Sequence, residues 1–518
     1  MSIIPPDIWG EIAACSPRQS VARLSAVSRA FYSFFSKLLY HDISPLGYEE
    51  SELLMRTLSD VHLARIEHPV RLLRRLAIPY WVQNHPADNL HYWHEVVQGL
   101  GQSISPVGPA VGAALRVLHW DAPRDVDKLG GLLLTPRYFP HLEELSIFDG
   151  DATDEEARFD FLRVPGLKKL EFTATFRGDG YGLPNTKRHA SWRVLRKGLE
   201  ILPSCSPFLQ SLSMKFEIEE PANSSFTMDP DLTVGLTQLR LPALTSLDFS
   251  FYAEEYFQLP NPAMNFAPLD IGSPHLTTLS LDIEGICVPE DANPTYLSHL
   301  TSFSGPVRNC AAIVAHTSNL CKLSLWIPED DMQNTLEPDP FRPVLFPPNF
   351  GLSITSLDVR SVDTSGDTKR YPVIDNLRIL LYVLIAAFPN LTHLRSHYRG
   401  VFIALTRLQH LAVRLWKGVG PDRTMLATTA LPPAKYSAEI NNELRPHLKD
   451  LAYVQVRVWG DCSLDSTGCE SCDEAQERYD RVPDLLAEYK FAARNPGENF
   501  VVVRQRELGD QVREWEWE

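Results

Sequence analysis

The residues best spaced for chemistry are three cysteines near the C-terminus, Cys462, Cys469 and Cys472, in the stretch GDCSLDSTGCESCDE. A C-x-x-C pair supplies half of a structural zinc site, or the two thiols of a redox pair. Structural zinc needs a second pair at a fixed distance, and here a fourth ligand has to come from His447 or Asp473. Zinc, a redox pair and a surface loop all fit the spacing; the surface loop fits best, because the second pair is missing. The other five cysteines sit in apolar phrases and read as small core residues. No phosphate-cradling G-x-x-x-x-G-K-[ST], no G-x-G-x-x-G opening a helix, no G-x-S-x-G elbow and no H-E-x-x-H pair occurs. Arg177-Gly178-Asp179-Gly180-Tyr181-Gly182 is rich in glycine but lies among polar residues and reads as a turn. The expectation is a chain with no catalytic site, no cofactor and no metal.

Composition narrows the class of partner. The 518 residues carry 49 basic and 65 acidic side chains, a net charge of −16. A field of that sign repels phosphate backbones and anionic lipid heads, so nucleic acid and membrane are not expected as main partners. The N-terminus lacks a basic segment followed by an apolar one, and the longest apolar run, Leu377 to Phe388, suits a buried helix better than a membrane span. Scattered cysteines point to a reducing compartment, cytoplasmic or nuclear. The 40 prolines punctuate short apolar runs, which predicts many brief elements joined by loops.

Two stretches show which elements must position any binding surface. In the first, residues 4–43 predict three short helices. Pro5-Pro6 opens one, with Ile8, Trp9 and Ile12 at helical spacing. Ser16-Pro17 opens a second that runs to about Ser25, and a third, FYSFFSKLLY, follows from about Ser28. Ile4-Pro5-Pro6-Asp7-Ile8, Ile12, Leu24, Val27-Ser28-Arg29 and Phe31-Tyr32 together resemble the F-box pattern, although Ser16 stands where that family more often has leucine. The resemblance implies docking onto the Skp adaptor of a cullin-based (SCF) ubiquitin ligase, with Ile4, Pro5, Ile8, Leu24 and Val27 as contacts. A helical cap shielding the first repeat is the alternative.

In the second, a phrase L-x-x-L-x-Φ (Φ apolar) returns from residue 114 onward. Clear copies are Leu115-Leu118-Trp120, Leu142-Leu145-Ile147, Leu167-Leu170-Phe172, Leu209-Leu212-Met214, Leu244-Leu247-Phe249, Leu276-Leu279-Leu281, Leu320-Leu323-Leu325 and Ile354-Leu357-Val359. Weaker ones are Leu300-Phe303, Leu391-Leu394, Leu408-Leu411-Val413 and Leu448-Leu451-Tyr453. The second leucine and the apolar residue two places later point the same way from a strand, and the first leucine closes the turn into it. Helical stretches such as SWRVLRKGLEILPS, NCAAIVAHTSN and IDNLRILLYVLIAAF lie between copies. One strand and one helix per unit resembles the leucine-rich repeat, here with uneven spacing and no recurring ladder asparagine. The expected fold is therefore an α/β solenoid. It divides into an F-box-like module over 1–45, a helical linker or cap over 46–110, an irregular leucine-rich-repeat horseshoe over 111–460, and a C-terminal loop and tail over 461–518. An ordinary α/β domain with a shared leucine pattern is the alternative.

Alternation also places residues on the outward face of the strands. Early and middle copies put Glu144, Asp248, Ser280 and Asp282 there; late copies put Arg360, His393, Arg395, His397, His410 and Arg414 there. A face that grades from acidic to basic selects a partner of opposite polarity. With no catalytic motif, the chain is expected to be a substrate-recognition adaptor that holds a protein substrate on this face. A repeat scaffold with no ubiquitin link is the alternative.

Overall fold

A computed structural model of the chain describes residues 9, 18–43, 72–78, 111–120, 133–134, 138–149, 159–177, 185–219, 239–253, 264–265, 272–282, 286–287, 295–306, 313, 317–327, 352–361, 388–396, 407–417, 437–438, 440–444, 446, 448–460, 484–493 and 498–507. They fall into two units, Met1–Leu276 and Thr277–Glu518. The phrase L-x-x-L-x-Φ builds the sheet in both.

In the first unit, α1 (Arg18–Ser25) and α2 (Arg29–Tyr40) match the second and third expected helices. Ser28 caps α2, its hydroxyl accepting the Phe31 N–H at 3.2 Å. Val21 and Phe35 form a small core with Trp9, Leu24, Phe31, Phe34 and Leu39 around it. The rest of the first expected helix, with Ile4, Pro5 and Ile8, lies outside the described residues. Seven parallel strands then follow in chain order: β1 (Asp42–Ile43), β2 (Arg75–Ile78), β3 (Val117–Trp120), β4 (Glu144–Asp149), β5 (Lys169–Arg177), β6 (Ser211–Glu219) and β7 (Ser246–Ala253). Helix α3 (Asn185–Cys205) joins β5 to β6.

The second unit opens with β8 (Thr278–Asp282), α4 (Thr295–His299), β9 (Ser302–Pro306) and β10 (Lys322–Ile327). It continues through β11 (Ser356–Ser361), β12 (His393–Ser396), β13 (His410–Lys417) and β14 (Tyr453–Gly460), all parallel. Strands β15 (Asp484–Ala492) and β16 (Val501–Glu507) then close the series antiparallel. Both units are thus open, mainly parallel sheets with few helices among the described residues, an α/β arrangement of the solenoid kind.

The phrase behaves as alternation requires. In its eight clear copies all three apolar positions are buried, none more than 3% exposed. The prolines explain the turns that precede them. Pro140, Pro207, Pro242, Pro274 and Pro389 each stand second in a four-residue turn, whose last leucine N–H donates to the first residue's carbonyl at 2.9–3.3 Å. Proline's fixed φ suits that position. Gly166 takes the third place of the turn before β5 with φ +78°, which a side chain resists. There Ser206 closes the gap: Leu167 N–H donates to its hydroxyl, and the hydroxyl donates to Val164 O at 2.8 Å.

The ladder asparagine absent from the sequence has a substitute. One carbonyl per repeat accepts two N–H groups from the next, running His41, Arg74, Arg116, Glu143, Lys168, Gln210 in the first unit. In the second unit it runs Thr277, Thr301, Cys321, Thr355, Thr392, Gln409. Side chains double this ladder: Thr301 Oγ1 reaches Thr277 O, Cys321 Sγ reaches Thr301 O, and Thr355 and Thr392 hydroxyls repeat the step at 3.1–3.3 Å. Cys321 is therefore a half-exposed ladder residue and not the core residue expected of it.

Other expectations need correction. The sheet extends into 46–110, where Leu73 and Leu76 are buried and β2 stands; the spacing Leu72, Leu73, Leu76, Ala77 also fits a helix, which hides the strand. Two strands likewise stand within 461–518. The last copy shifts by three: Leu451 closes the turn, Val454 and Val456 point inward, and Tyr453 faces out. Most of the last two expected helical stretches lies outside the described residues, as do Gly178–Gly182 and Cys462, Cys469 and Cys472.

Candidate interaction surface

Registered strands align the residues between the buried leucines into rows about 4.8 Å apart from strand to strand. In the second unit one row runs Ser302, Lys322, Ser356, His393, His410, Tyr453. The next outward row runs Ser280, Ser304, Ser324, Asp358, Arg395, Ala412, Gln455. Register alone brings His393 beside His410, and Asp358 beside Arg395.

The two imidazoles stack face to face, 4.4 Å between centroids and 5° between planes, and His410 meets Tyr453 at 5.9 Å. Thr392 fixes the first ring. Its hydroxyl lies 2.8 Å from His393 Nδ1. That contact and the hydroxyl's 3.1 Å one to Thr355 O hold the imidazole in place in its row. Burial lowers the pKa of His393, with His410 and Lys322 adding to it, and burial lowers that of His410. Desolvation is thus the leading cause in both rings, ahead of any neighbouring charge.

Arg395 is not the exposed charge expected. It is 9% exposed and donates to Asp358 Oδ2 at 3.2 Å. A strand opposite it carries the aspartate, in the phrase Ser356-Leu357-Asp358-Val359, and single phrases do not show which neighbours register brings together. Arg360 and Arg414 do share a row: each follows a residue in register with Ser396, and Arg457 stands in line with Arg414. Their side chains, and His397 altogether, lie outside the described residues.

The first unit's outward face carries mixed signs and is not the acidic surface expected. Glu144 and Asp248 are joined by Arg75, Lys169, Glu171 and Lys215 in the registered rows. Asp248 accepts from Ser213 at 2.9 Å and Glu171 lies 3.7 Å from Lys215. His119 sits among them, its pKa lowered by burial first and by Arg75 and Lys169 next.

On the helical pair, the adaptor contacts expected from sequence separate. Val27 is 67% exposed in the turn between α1 and α2, with Tyr32 and Leu38 exposed on α2, while Leu24 packs onto the small core. Among the described residues no three His, Cys, Asp or Glu side chains gather as a metal site requires, and no helix is long and apolar enough to cross a membrane. Neither a protein-family model nor a curated protein matches the chain.

Proposed function

We propose that this chain is a substrate-recognition adaptor of an SCF-type ubiquitin ligase, docking onto a Skp adaptor through its N-terminal helices and holding a protein substrate on the outward strand face. The supporting observation is the apolar surface of the helical pair. Val27, Tyr32 and Leu38 stay exposed although Val21, Phe35 and their neighbours fill a core beside them. A helical module this small leaves apolar residues over for a partner groove. The role is proximity: the chain raises the substrate's effective concentration near a ligase that supplies the chemistry.

The test is a pull-down of the full chain with a Skp adaptor. Val27 lies in an exposed turn, so Val27→Asp keeps the fold and is expected to abolish binding. Failure of the unaltered chain to bind refutes the reading. Capture of a protein partner without adaptor binding makes the chain a repeat scaffold instead.

A further inference from the structure

The first three strands of the sheet begin at a groove of about 540 Å³ lined by His41, Asp42, Arg74, Arg75, Arg116 and Val117. Among the described residues, three arginines and a histidine line it with one aspartate, in a protein whose net charge is −16. The ladder makes this concentration. Arg74 and Arg116 hold the same place in successive repeats, the Arg74 carbonyl accepting the Arg116 N–H at 2.8 Å, and Arg75 follows Arg74 into β2.

The arginines are held ready. Arg74 Nη1 donates to Ala114 O at 3.1 Å, which orients its fork. Arg75 has Asp42 at 3.8 Å and Arg116 has Glu143 at 3.6 Å, all four side chains reachable by solvent. Such loose surface pairs contribute little and exchange readily for a stronger anion. Glu143 is moreover drawn to Lys168, at 3.0 Å, whose hydrogen bond lowers its pKa. Guanidinium forks match phosphate oxygens two at a time.

We infer that this groove binds a phosphate monoester carried on a segment of a protein partner. The overall negative charge disfavours a polyanionic surface such as nucleic acid or membrane, yet leaves a single phosphate free to enter a local basic groove. The volume exceeds one phosphate and leaves room along Val117 for flanking peptide. A phosphoserine bears about −1.5 to −2 charges near pH 7, more than the Asp42 carboxylate beside Arg75. The inference rests on the reading that the chain captures a protein. It is tested without any adaptor, so loss of Skp binding leaves it standing.

Calorimetric titration of the full chain uses three probes: acetyl-Gly-phosphoserine-Gly-amide, its unphosphorylated form, and inorganic phosphate. The phosphopeptide is expected to bind saturably and more tightly than inorganic phosphate, and the unphosphorylated peptide not at all. Arg75→Gln and Arg116→Gln, both at solvent-reachable positions, are each expected to weaken binding by about tenfold or more. Lys215→Gln removes the same charge outside the groove and is expected to change affinity less than about twofold. Melting temperatures identify folded variants, and one folded groove variant suffices. Four results each overturn the inference: no saturable binding, equal binding of the unphosphorylated peptide, inorganic phosphate binding as tightly as the phosphopeptide, or unchanged affinity in the folded groove variants.

Discussion

Replacing Arg395 by glutamate tests whether the strand face was placed correctly. Were Arg395 an exposed contact residue, reversal would remove substrate and leave the fold alone. The structure puts it instead 9% exposed and 3.2 Å from Asp358, whose side chain is 15% exposed. Arg395→Glu then sets two carboxylates side by side where water is largely excluded. An exposed pair is worth about 0–1 kcal/mol, whereas breaking a buried one costs about 3–5 kcal/mol, because the remaining charge keeps its desolvation penalty. The expected loss is in the upper range. Urea unfolding of Arg395→Glu, Arg395→Ala and Asp358→Asn measures it, and the exchange Asp358→Arg with Arg395→Asp is expected to recover part of it. A coupling of about 0.5–3 kcal/mol in the double-mutant cycle is expected for groups in contact. A loss below about 0.5 kcal/mol for Arg395→Glu refutes the burial, and the register with it.

Leu247→Ala, in the buried row of β7, is expected to cost about 2–5 kcal/mol by urea unfolding, and a surface-sized loss would break the register of the phrase. Gly305→Ala puts a Cβ 2.7 Å from Leu281 O, so a cost of about 1–3 kcal/mol is expected, and an unchanged urea midpoint would rule out that close approach. His393 and His410 have folded pKa values below the ordinary 6.5, so the unfolded chain takes up their protons first. Their contribution is complete above pH 6.5 and is lost as pH falls through the depressed values; His393→Gln with His410→Gln is expected to flatten that part of a melting-temperature profile from pH 8 to 5. Chelation is expected to leave the melting temperature unchanged, and a large drop would make a metal site of Cys462, Cys469 and Cys472.

What sequence revealed here is whatever period and spacing encode. The leucines of the phrase were legible because each is fixed by its neighbours two and three places away, and the start of α2 near Ser28 because a helix end is a local event. Leu73-x-x-Leu76 was not, since Leu72 and Ala77 complete an equally good helical face. Nor was Asp358 opposite Arg395, 37 residues apart and paired only because β11 and β12 are in register. The same limit hid the arginine groove: Arg74 and Arg116 are separated by a stretch of no fixed length, and the ladder alone brings them together. Tyr453 was read three positions out of phase, because Leu448 and Leu451 imitate the phrase's first two leucines while acting as the two ends of the preceding turn.

Register also decides what kind of selectivity such a face can have. A charge beside one of opposite sign on the next strand, in the same row as with Asp358 and Arg395 or diagonally as with Glu171 and Lys215, spends its field locally and gives little long-range attraction. Burial lowers the pKa of the stacked pair His393 and His410, and the Thr392 hydroxyl beside His393 fixes the place of that ring. If the second unit's face holds a partner as proposed, the part around Asp358, His393, Arg395 and His410 selects by fit at short range, and mild changes in salt should alter capture there little. Binding in the arginine groove of the first unit, if it takes a phosphate, must weaken steeply with salt. Measuring both affinities between 50 and 300 mM salt separates the two modes, and equal salt slopes would mean that the face is read through its charges after all.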